Sequence, residues 1–157
     1  MISAAKVATS REDIVRKLIG AWRLVSWSET KEDGTVDYPL GKDAIGQLLY
    51  SADGHVAAQL ARKGMPPLRD EDWRSASQPE SSRAWKSYFG YFGTFSIDIA
   101  TQAVIHHVEG SWFPNIAHTD QKRLFGFEGD ELVLDADTAW GKVRIIWEKA
   151  PDRSADI

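Results

Sequence analysis

Residues 46–60 read GQLLYSADGHVAAQL and predict a β-hairpin with a tight turn at Asp53-Gly54. The flanks, 46–51 and 55–61, have the length of short strands. An Asp-Gly pair between two such runs is a strong signal for a hairpin turn, because that turn needs residues that tolerate a positive φ. The hairpin indicates that the sheet around it is antiparallel.

Outside this hairpin the sequence predicts two short helices and six further strands. Ser10 and Asp13 form a capping-box-like start to an N-terminal helix over about 11–19. A second capping box, Ser77 with Glu80, opens the helix of a lid-like insert over about 66–89, between the third and fourth strands. Alternating apolar residues predict the other strands at 21–29, 91–99, 103–112, 119–127, 131–136 and 142–149.

Eight short strands of even spacing, joined by hairpins and free of interior Pro, are typical of a closed barrel. We therefore predict an all-β fold, an eight-stranded antiparallel up-and-down barrel. At about 150 residues per domain, residues 1–157 form a single domain.

The composition excludes several classes of protein and of site. A mild net charge of −4, from 19 Lys and Arg against 23 Asp and Glu, argues against a nucleic-acid partner. The absence of Cys excludes disulfides and thiolate metal ligands. The first ten residues hold no apolar run of signal-peptide length, and no later window reaches the roughly 18 apolar residues of a membrane span. We expect a cytoplasmic protein with no membrane partner.

Aromatic residues are unusually frequent, and strand parity predicts that many of them line the barrel. Seven of the 17 aromatic residues are Trp, more than the core of a small domain needs. Alternate residues of a strand point to opposite faces, so the apolar face of each strand faces inward. Trp85 and Tyr88, on the second helix, either cover the open end or pack against it from outside. The remaining candidate ligand-binding residues are Tyr50, Tyr91, Phe95, Trp112, Gln121, Phe125 and Trp147.

His106 is one of two candidate catalytic residues. It is in phase with Val104 and Val108, which places it inside, whereas His107 falls on the other face and is the reserve candidate. Adjacent strand residues diverge, so the two cannot chelate one ion, and we expect no metal. An inward histidine either moves a proton or is a core histidine bonded to a backbone carbonyl or a Tyr hydroxyl.

Arg123 is the second candidate, in phase with Gln121 and Phe125 on the interior face. A guanidinium cannot lose its charge, so an inward Arg123 needs an anionic or strongly accepting partner. That partner is a ligand carboxylate, enolate or carbonyl, or a barrel carboxylate such as Glu109; alternatively, the side chain extends to the barrel mouth.

The ordered segments of the chain resemble the lipocalin-like domain family of small bacterial and fungal barrels. Gly20-Ala21-Trp22 is similar to the GxW signature, and the resemblance covers about residues 15–148. It rests further on YPLG, GQLLYSADGHVAAQL, GTFSID, HHVEGSWFPN and TDQKRLFGFEGDELVL. It implies a lipocalin-like eight-stranded barrel with the helix at one end. The family pairs the GxW Trp with an Arg of the last strand, but the candidate here, Arg144, is in phase with Glu148 and out of phase with the apolar face.

Such folds include carriers, sensors and cofactor-free enzymes. Our first hypothesis is a cofactor-independent cyclase or isomerase that acts on a small hydrophobic, oxygenated or aromatic ligand. In it, aromatic walls hold the substrate, Arg123 with Gln121 polarises a carbonyl or enolate, and His106 moves the proton. The alternatives are a non-catalytic carrier with the same pocket and a structural domain with a filled barrel. A homodimer is a further expectation.

Overall fold

The computed structural model describes residues 10–157 and confirms the closed antiparallel barrel. Three short 3-10 helices, at Trp73–Ser75, Pro114–Ile116 and Ser154–Asp156, lie in loops and at the C-terminus. The main elements are α1 (Arg11–Leu18), β1 (Gly20–Thr30), β2 (Val36–Asp37), β3 (Ile45–Tyr50), β4 (His55–Ala61), α2 (Gln78–Trp85), β5 (Tyr88–Asp98), β6 (Ala103–Ser111), β7 (Asp120–Glu128), β8 (Glu131–Thr138) and β9 (Gly141–Lys149).

Eight of these strands form the barrel wall. They pair in the order β1-β3-β4-β5-β6-β7-β8-β9, and β9 pairs back with β1 to close the ring. The two-residue strand β2 pairs only with the last two residues of β1 and is not needed for closure. The sequence pattern did not predict β2, because two residues show no alternation. With β2 counted, the helical insert lies between β4 and β5.

Helix α1 closes one end of the barrel, which we call the closed end. The Ser10 side chain caps the helix by accepting from the Asp13 amide at 3.2 Å. Ile14 and Leu18 are fully buried against the barrel core. The Trp22 indole donates to the Leu18 carbonyl at 2.8 Å, which fixes the helix to β1.

Lys149 of β9 occupies the position beside the GxW Trp that the resemblance assigns to an arginine. Its ammonium lies 4.2 Å from the centre of the Trp22 ring and donates to the Ile19 carbonyl at 2.7 Å. Arg144 forms a two-bonded pair with Asp135 on the outer face instead, at 2.8 Å for each bond. The cation over Trp22 is therefore present but comes from a lysine.

The opposite end, which we call the open end, follows from strand direction. Strands β1, β4, β6 and β8 run away from α1, so their last residues and the β8–β9 turn lie at this end. The insert 62–87 also begins and ends here. Its helix α2 contains no buried residue, and its Trp85 ring stacks on Trp112 at 3.8 Å.

The second helix ends earlier than the sequence predicted. α2 stops at Trp85, and Tyr88 is the first residue of β5, where it pairs with Ala61 of β4. The placement of Tyr88 on the helix was therefore wrong, because the apolar stripe of the helix runs straight into the apolar start of the strand.

None of the helices in residues 10–157 has both the length and the apolar character that a membrane crossing requires.

Candidate functional site

His106 lies at the centre of the barrel and is completely buried. Its Nε2 atom is 2.7 Å from the Tyr50 hydroxyl and its Nδ1 atom is 2.7 Å from the Tyr91 hydroxyl. Tyr50, Tyr91 and His106 come from β3, β5 and β6, and each lies on the inward face of its strand, as strand parity predicted. Both ring nitrogens are therefore hydrogen-bonded to tyrosines. From the sequence, the partner of a core histidine was either a Tyr hydroxyl or a backbone carbonyl.

The protonation of this trio follows from its burial. Desolvation, with the positive charge of Arg123 and the neighbouring His107, lowers the pKa of His106 from 6.5 to about 3. Burial raises the pKa of Tyr50 and of Tyr91 above the ordinary 10.0. At neutral pH the trio thus consists of a neutral imidazole and two intact hydroxyls.

One hydroxyl proton of the trio is not used in its internal hydrogen bonds and is free to be donated to another molecule. A neutral imidazole has one N–H donor and one bare acceptor nitrogen, so one tyrosine donates to His106 and the other accepts from it. The accepting tyrosine keeps its own O–H proton unused. Tyr91 lies in the wall of the internal cavity, so the network presents a hydrogen-bond donor there when Tyr91 is the accepting partner.

Arg123 faces the same cavity from β7. No ion pair among residues 10–157 involves its guanidinium, and the predicted partner Glu109 is exposed on the neighbouring strand. Its guanidinium donates to the carbonyl of the preceding Lys122 at 3.1 Å and lies beside the hydroxyl of Tyr91. Arg123 therefore brings a positive charge to an apolar wall without a carboxylate beside it.

The internal cavity has a volume of about 50 Å³. That is room for a few water molecules and well below the roughly 300–1,000 Å³ of a pocket that holds a drug-sized ligand. The polar residues in its lining include Tyr91, His106, Arg123 and two buried indoles, Trp27 and Trp147. Its apolar wall includes leucine, alanine, valine and isoleucine from the strands of both halves of the barrel.

Trp140 and Phe89 bound the cavity toward the open end. Trp140 stands in the β8–β9 turn, is 51% exposed, and donates from its indole to Glu29 Oε1 at 3.0 Å. Phe89 is half-buried and packs edge-on against Trp27 at 5.6 Å. Since Trp140 already borders solvent, it is the side chain whose movement opens the cavity with the least loss of packing.

Four of the predicted site residues meet at this cavity: Tyr91, His106, Arg123 and Trp147. Tyr50 reaches it through His106, and Phe95 packs edge-on against Tyr50 at 4.9 Å.

Four others lie away from the cavity. Tyr88 points outward and donates to Gln59 Oε1 at 2.6 Å, so it does not reach the interior. Gln121 is inward but donates to Thr119 Oγ1 at 2.7 Å. Phe125 packs beside Phe127 near the closed end, and Trp112 stacks on Trp85 at the open end.

His107 faces outward, as strand parity predicted. Its Nδ1 lies 2.7 Å from Asp120 Oδ1 and its Nε2 lies 2.8 Å from Ser96 Oγ. The order Ser-His-Asp is that of a hydrolase triad, but acyl transfer also needs donors that hold an oxyanion next to a bound substrate. This trio lies on the outer face of the sheet, whereas the internal cavity is on the inner face.

Trp27 and Trp140 are wall residues that the sequence analysis missed. A bulge between Leu24 and Ser26 shifts the phase of β1, so Trp27 turns inward although strict alternation from Trp22 points it outward. Trp140 sits in a turn, where strand parity makes no prediction.

Within the described part of the chain, no three or more His, Asp or Glu side chains gather so that they could hold a metal ion.

Comparison with known proteins gives three findings. A family model described as a lipocalin-like domain matches residues 19–150. The 4'-hydroxy-3'-methoxypropiophenone carrier protein ppsC of Aspergillus oryzae is 35% identical over 85 residues, which are 50% of this chain and 77% of that protein. Among solved structures, a redesigned β-barrel superposes with a TM-score of 0.45 and 11% identity, over 87% of this chain and 95% of that one.

Proposed function

Since this chain belongs to the lipocalin-like domain family, we propose that it is a carrier that binds one small aromatic molecule bearing an oxygen acceptor inside its barrel. The observation that carries the proposal is Arg123, a guanidinium that faces an apolar cavity with no carboxylate beside it. Arg123 is partly buried, and a cation on an apolar wall without an anionic partner loses part of its solvation. A ligand oxygen that accepts its N–H bonds offsets that loss.

The Tyr50–His106–Tyr91 network supports the same ligand chemistry. When Tyr91 is the partner that accepts from His106, its unused O–H proton lies in the same cavity wall as Arg123, so both groups can donate to the same carbonyl or phenolate oxygen. The apolar remainder of the wall suits an aromatic ring. The relative from Aspergillus oryzae is named as a carrier of a hydroxylated, methoxylated aryl ketone, which combines these features.

Ligand entry requires the barrel to open. A cavity of about 50 Å³ does not hold an aromatic ketone, so binding displaces wall side chains. We propose that Trp140 and Phe89, at the open end, move outward to admit the ligand. Binding then changes the environment of several Trp residues, and intrinsic fluorescence reports it.

The test uses 4'-hydroxy-3'-methoxypropiophenone as the probe in calorimetric and fluorescence titrations. We expect saturable binding to the natural chain and an affinity about 10- to 100-fold weaker in Arg123→Met, the loss of one hydrogen bond to a charged group. Arg144→Met is the matched control, because Arg144 is paired with Asp135 on the outer face. No saturable signal at about 1 mM probe, or equal affinity in both variants, contradicts the proposal.

Catalysis on the same ligand is the second candidate, favoured by the central position of His106 between two hydroxyls. In this cyclase or isomerase, Arg123 stabilises an enolate and His106 passes a proton between the tyrosines. A pKa of about 3 makes His106 a weak base at neutral pH, well below the value near 7 that suits a general base. We therefore place binding first.

The two functions separate in one experiment. Incubation of the probe with the natural chain in D₂O, followed by NMR, detects exchange of the α-CH₂ protons of the ketone, which is the proton transfer through an enolate that catalysis requires. Accelerated exchange that disappears in His106→Gln while the probe still binds supports catalysis, and a bound probe that exchanges no faster than in buffer supports a carrier. A homodimer and a cytoplasmic location stay predictions.

A further inference from the structure

Two buried hydrogen-bond donors in the cavity wall have no partner. The indole nitrogens of Trp27 and Trp147 are inaccessible to solvent and make no hydrogen bond with any described residue. Trp27 is 9% exposed and Trp147 is 1% exposed. More than nine in ten buried polar groups in proteins are paired, so two orphan donors in the wall of one small cavity require an explanation.

The strand order places these indoles across the barrel from the histidine network. Trp27 is on β1 and Trp147 is on β9, which are adjacent in the closed ring. His106 on β6 is four strands from β1 in either direction around the ring of eight, and Tyr91 on β5 is four strands from β9. The cavity thus has donors on two opposite walls.

The unused polar atoms on both walls are donors. An indole nitrogen and a guanidinium can only donate, and Tyr91 adds a spare O–H proton when it is the tyrosine that accepts from His106. The other polar side chains of the wall are already engaged: Thr138 donates to the Gly141 carbonyl, and Trp140 donates to Glu29. A ligand that complements such a cavity is rich in hydrogen-bond acceptors.

We propose that the barrel selects a flat aromatic ligand with an oxygen acceptor at each of two opposite ends. This inference rests on the binding function proposed above and specifies its ligand class. One acceptor, a ketone carbonyl, binds Arg123 and the hydroxyl of Tyr91. The second, an ether or phenolic oxygen across the ring, accepts from the indole of Trp27 or Trp147. A ligand with only one acceptor leaves the indoles unpaired and binds more weakly.

The test compares two probes that differ by one oxygen, 4-methoxyacetophenone and 4-ethylacetophenone. The ether oxygen of the first is a CH₂ group in the second, so the number of heavy atoms and the ketone are preserved. We expect the methoxy probe to bind the natural chain about fivefold more tightly, the ratio that one added neutral hydrogen bond gives. We expect Trp27→Phe or Trp147→Phe to reduce this ratio to about one.

Trp73→Phe is the control variant, because Trp73 is exposed in the insert and does not line the cavity. It removes one indole while leaving the unpaired donors in place, so the ratio between the probes should persist. Comparing the ratio, and not the affinity, cancels any general loosening of the barrel that a Trp→Phe change causes. A second readout uses the ¹⁵N-labelled natural chain and no variant. The indole N–H chemical shift of Trp27 or Trp147 should change on binding the methoxy probe and change less on binding the ethyl probe.

The outcomes separate the two proposals. If both probes bind with equal affinity, or the ratio survives in both Trp27→Phe and Trp147→Phe, the two-acceptor inference is wrong while the binding function stands. If neither probe nor the hydroxylated ketone used above binds the natural chain, the binding function itself is wrong. Unchanged indole resonances with a bound methoxy probe also overturn the inference.

Discussion

Mild acid should destabilise this protein through His106. Burial holds the pKa of His106 at about 3 in the folded chain, against 6.5 as its ordinary value. A histidine in the unfolded chain therefore takes up a proton below about pH 6.5, whereas the folded chain does not do so until about pH 3. The free energy of unfolding is thus unaffected by His106 above about pH 6.5 and falls as the pH drops toward 3.

The magnitude follows from the separation of the two pKa values. Each pH unit below the unfolded-state value lowers the free energy of unfolding by about 1.4 kcal/mol, so a change from about pH 7.5 to about pH 5 lowers it by about 2 kcal/mol. For a domain of this size that is a fall of roughly 4–8 °C in Tm. Most carboxylates are still ionised at about pH 5, so they contribute little over this range.

Urea unfolding of the natural chain and of His106→Gln at the two pH values measures the effect. Glutamine can donate to one tyrosine and accept from the other, so it can preserve both hydrogen bonds, and it does not titrate. We expect the acid-induced loss of stability to be smaller in His106→Gln by about 2 kcal/mol. His55→Gln, at an exposed histidine, controls for the removal of a histidine.

Equal acid-induced losses in the natural chain and in His106→Gln would refute the reasoning. That result would mean that His106 is protonated in the folded protein at about pH 5, and hence that water or a charge reaches the centre of the barrel. A large reduction of the loss in His55→Gln would equally assign the effect to another site.

Two further predictions concern packing. Gly93→Ala should unfold the chain or lower its free energy of unfolding in urea by about 3 kcal/mol or more, because the added Cβ would overlap the backbone carbonyl of His107 at the β5–β6 bulge. The control Gly126→Ala has open space at its Cβ and should change the free energy of unfolding by under about 1 kcal/mol. Lys149→Met should lower the free energy of unfolding by about 1–2 kcal/mol, because it removes the cation over Trp22. Lys149→Arg keeps the positive charge and should lose less stability. If the methionine variant is as stable as the natural chain, this contact has no structural role.

Local sequence patterns were sufficient to predict the strands of the barrel wall and the inward direction of part of the site. The Asp53-Gly54 turn and the alternation of β5 to β9 predicted the hairpin order that the structure shows. The phase of Val104 and Val108 predicted the inward direction of His106, which is fully buried. Alternation works here because β6 has no bulge from Val104 to His107.

Local patterns failed where the backbone departs from regular alternation or where partners come from distant segments. The bulge in β1 turned Trp27 inward. The early end of α2 at Trp85 made Tyr88 the first residue of β5, with its side chain on the outer face. Lys149 took the place beside Trp22 that the sequence sought at Arg144, since the pairing of β9 with β1 sets which cation reaches the ring.

The sequence by itself determined the eight strands of the barrel wall, their antiparallel order and the inward face of β6 and β7, because alternation of side chains is a local property of an extended chain. Only the tertiary structure decided which inward side chains meet. Tyr50 is 56 residues from His106 and Tyr91 is 15 residues from it, yet both bond to its ring. Closure of the ring also brought Arg123 to the same cavity as Trp27 and Trp147, whose indole nitrogens have no partner among the described residues. Distances across a barrel depend on how the ring closes and on its bulges, and no local pattern encodes them.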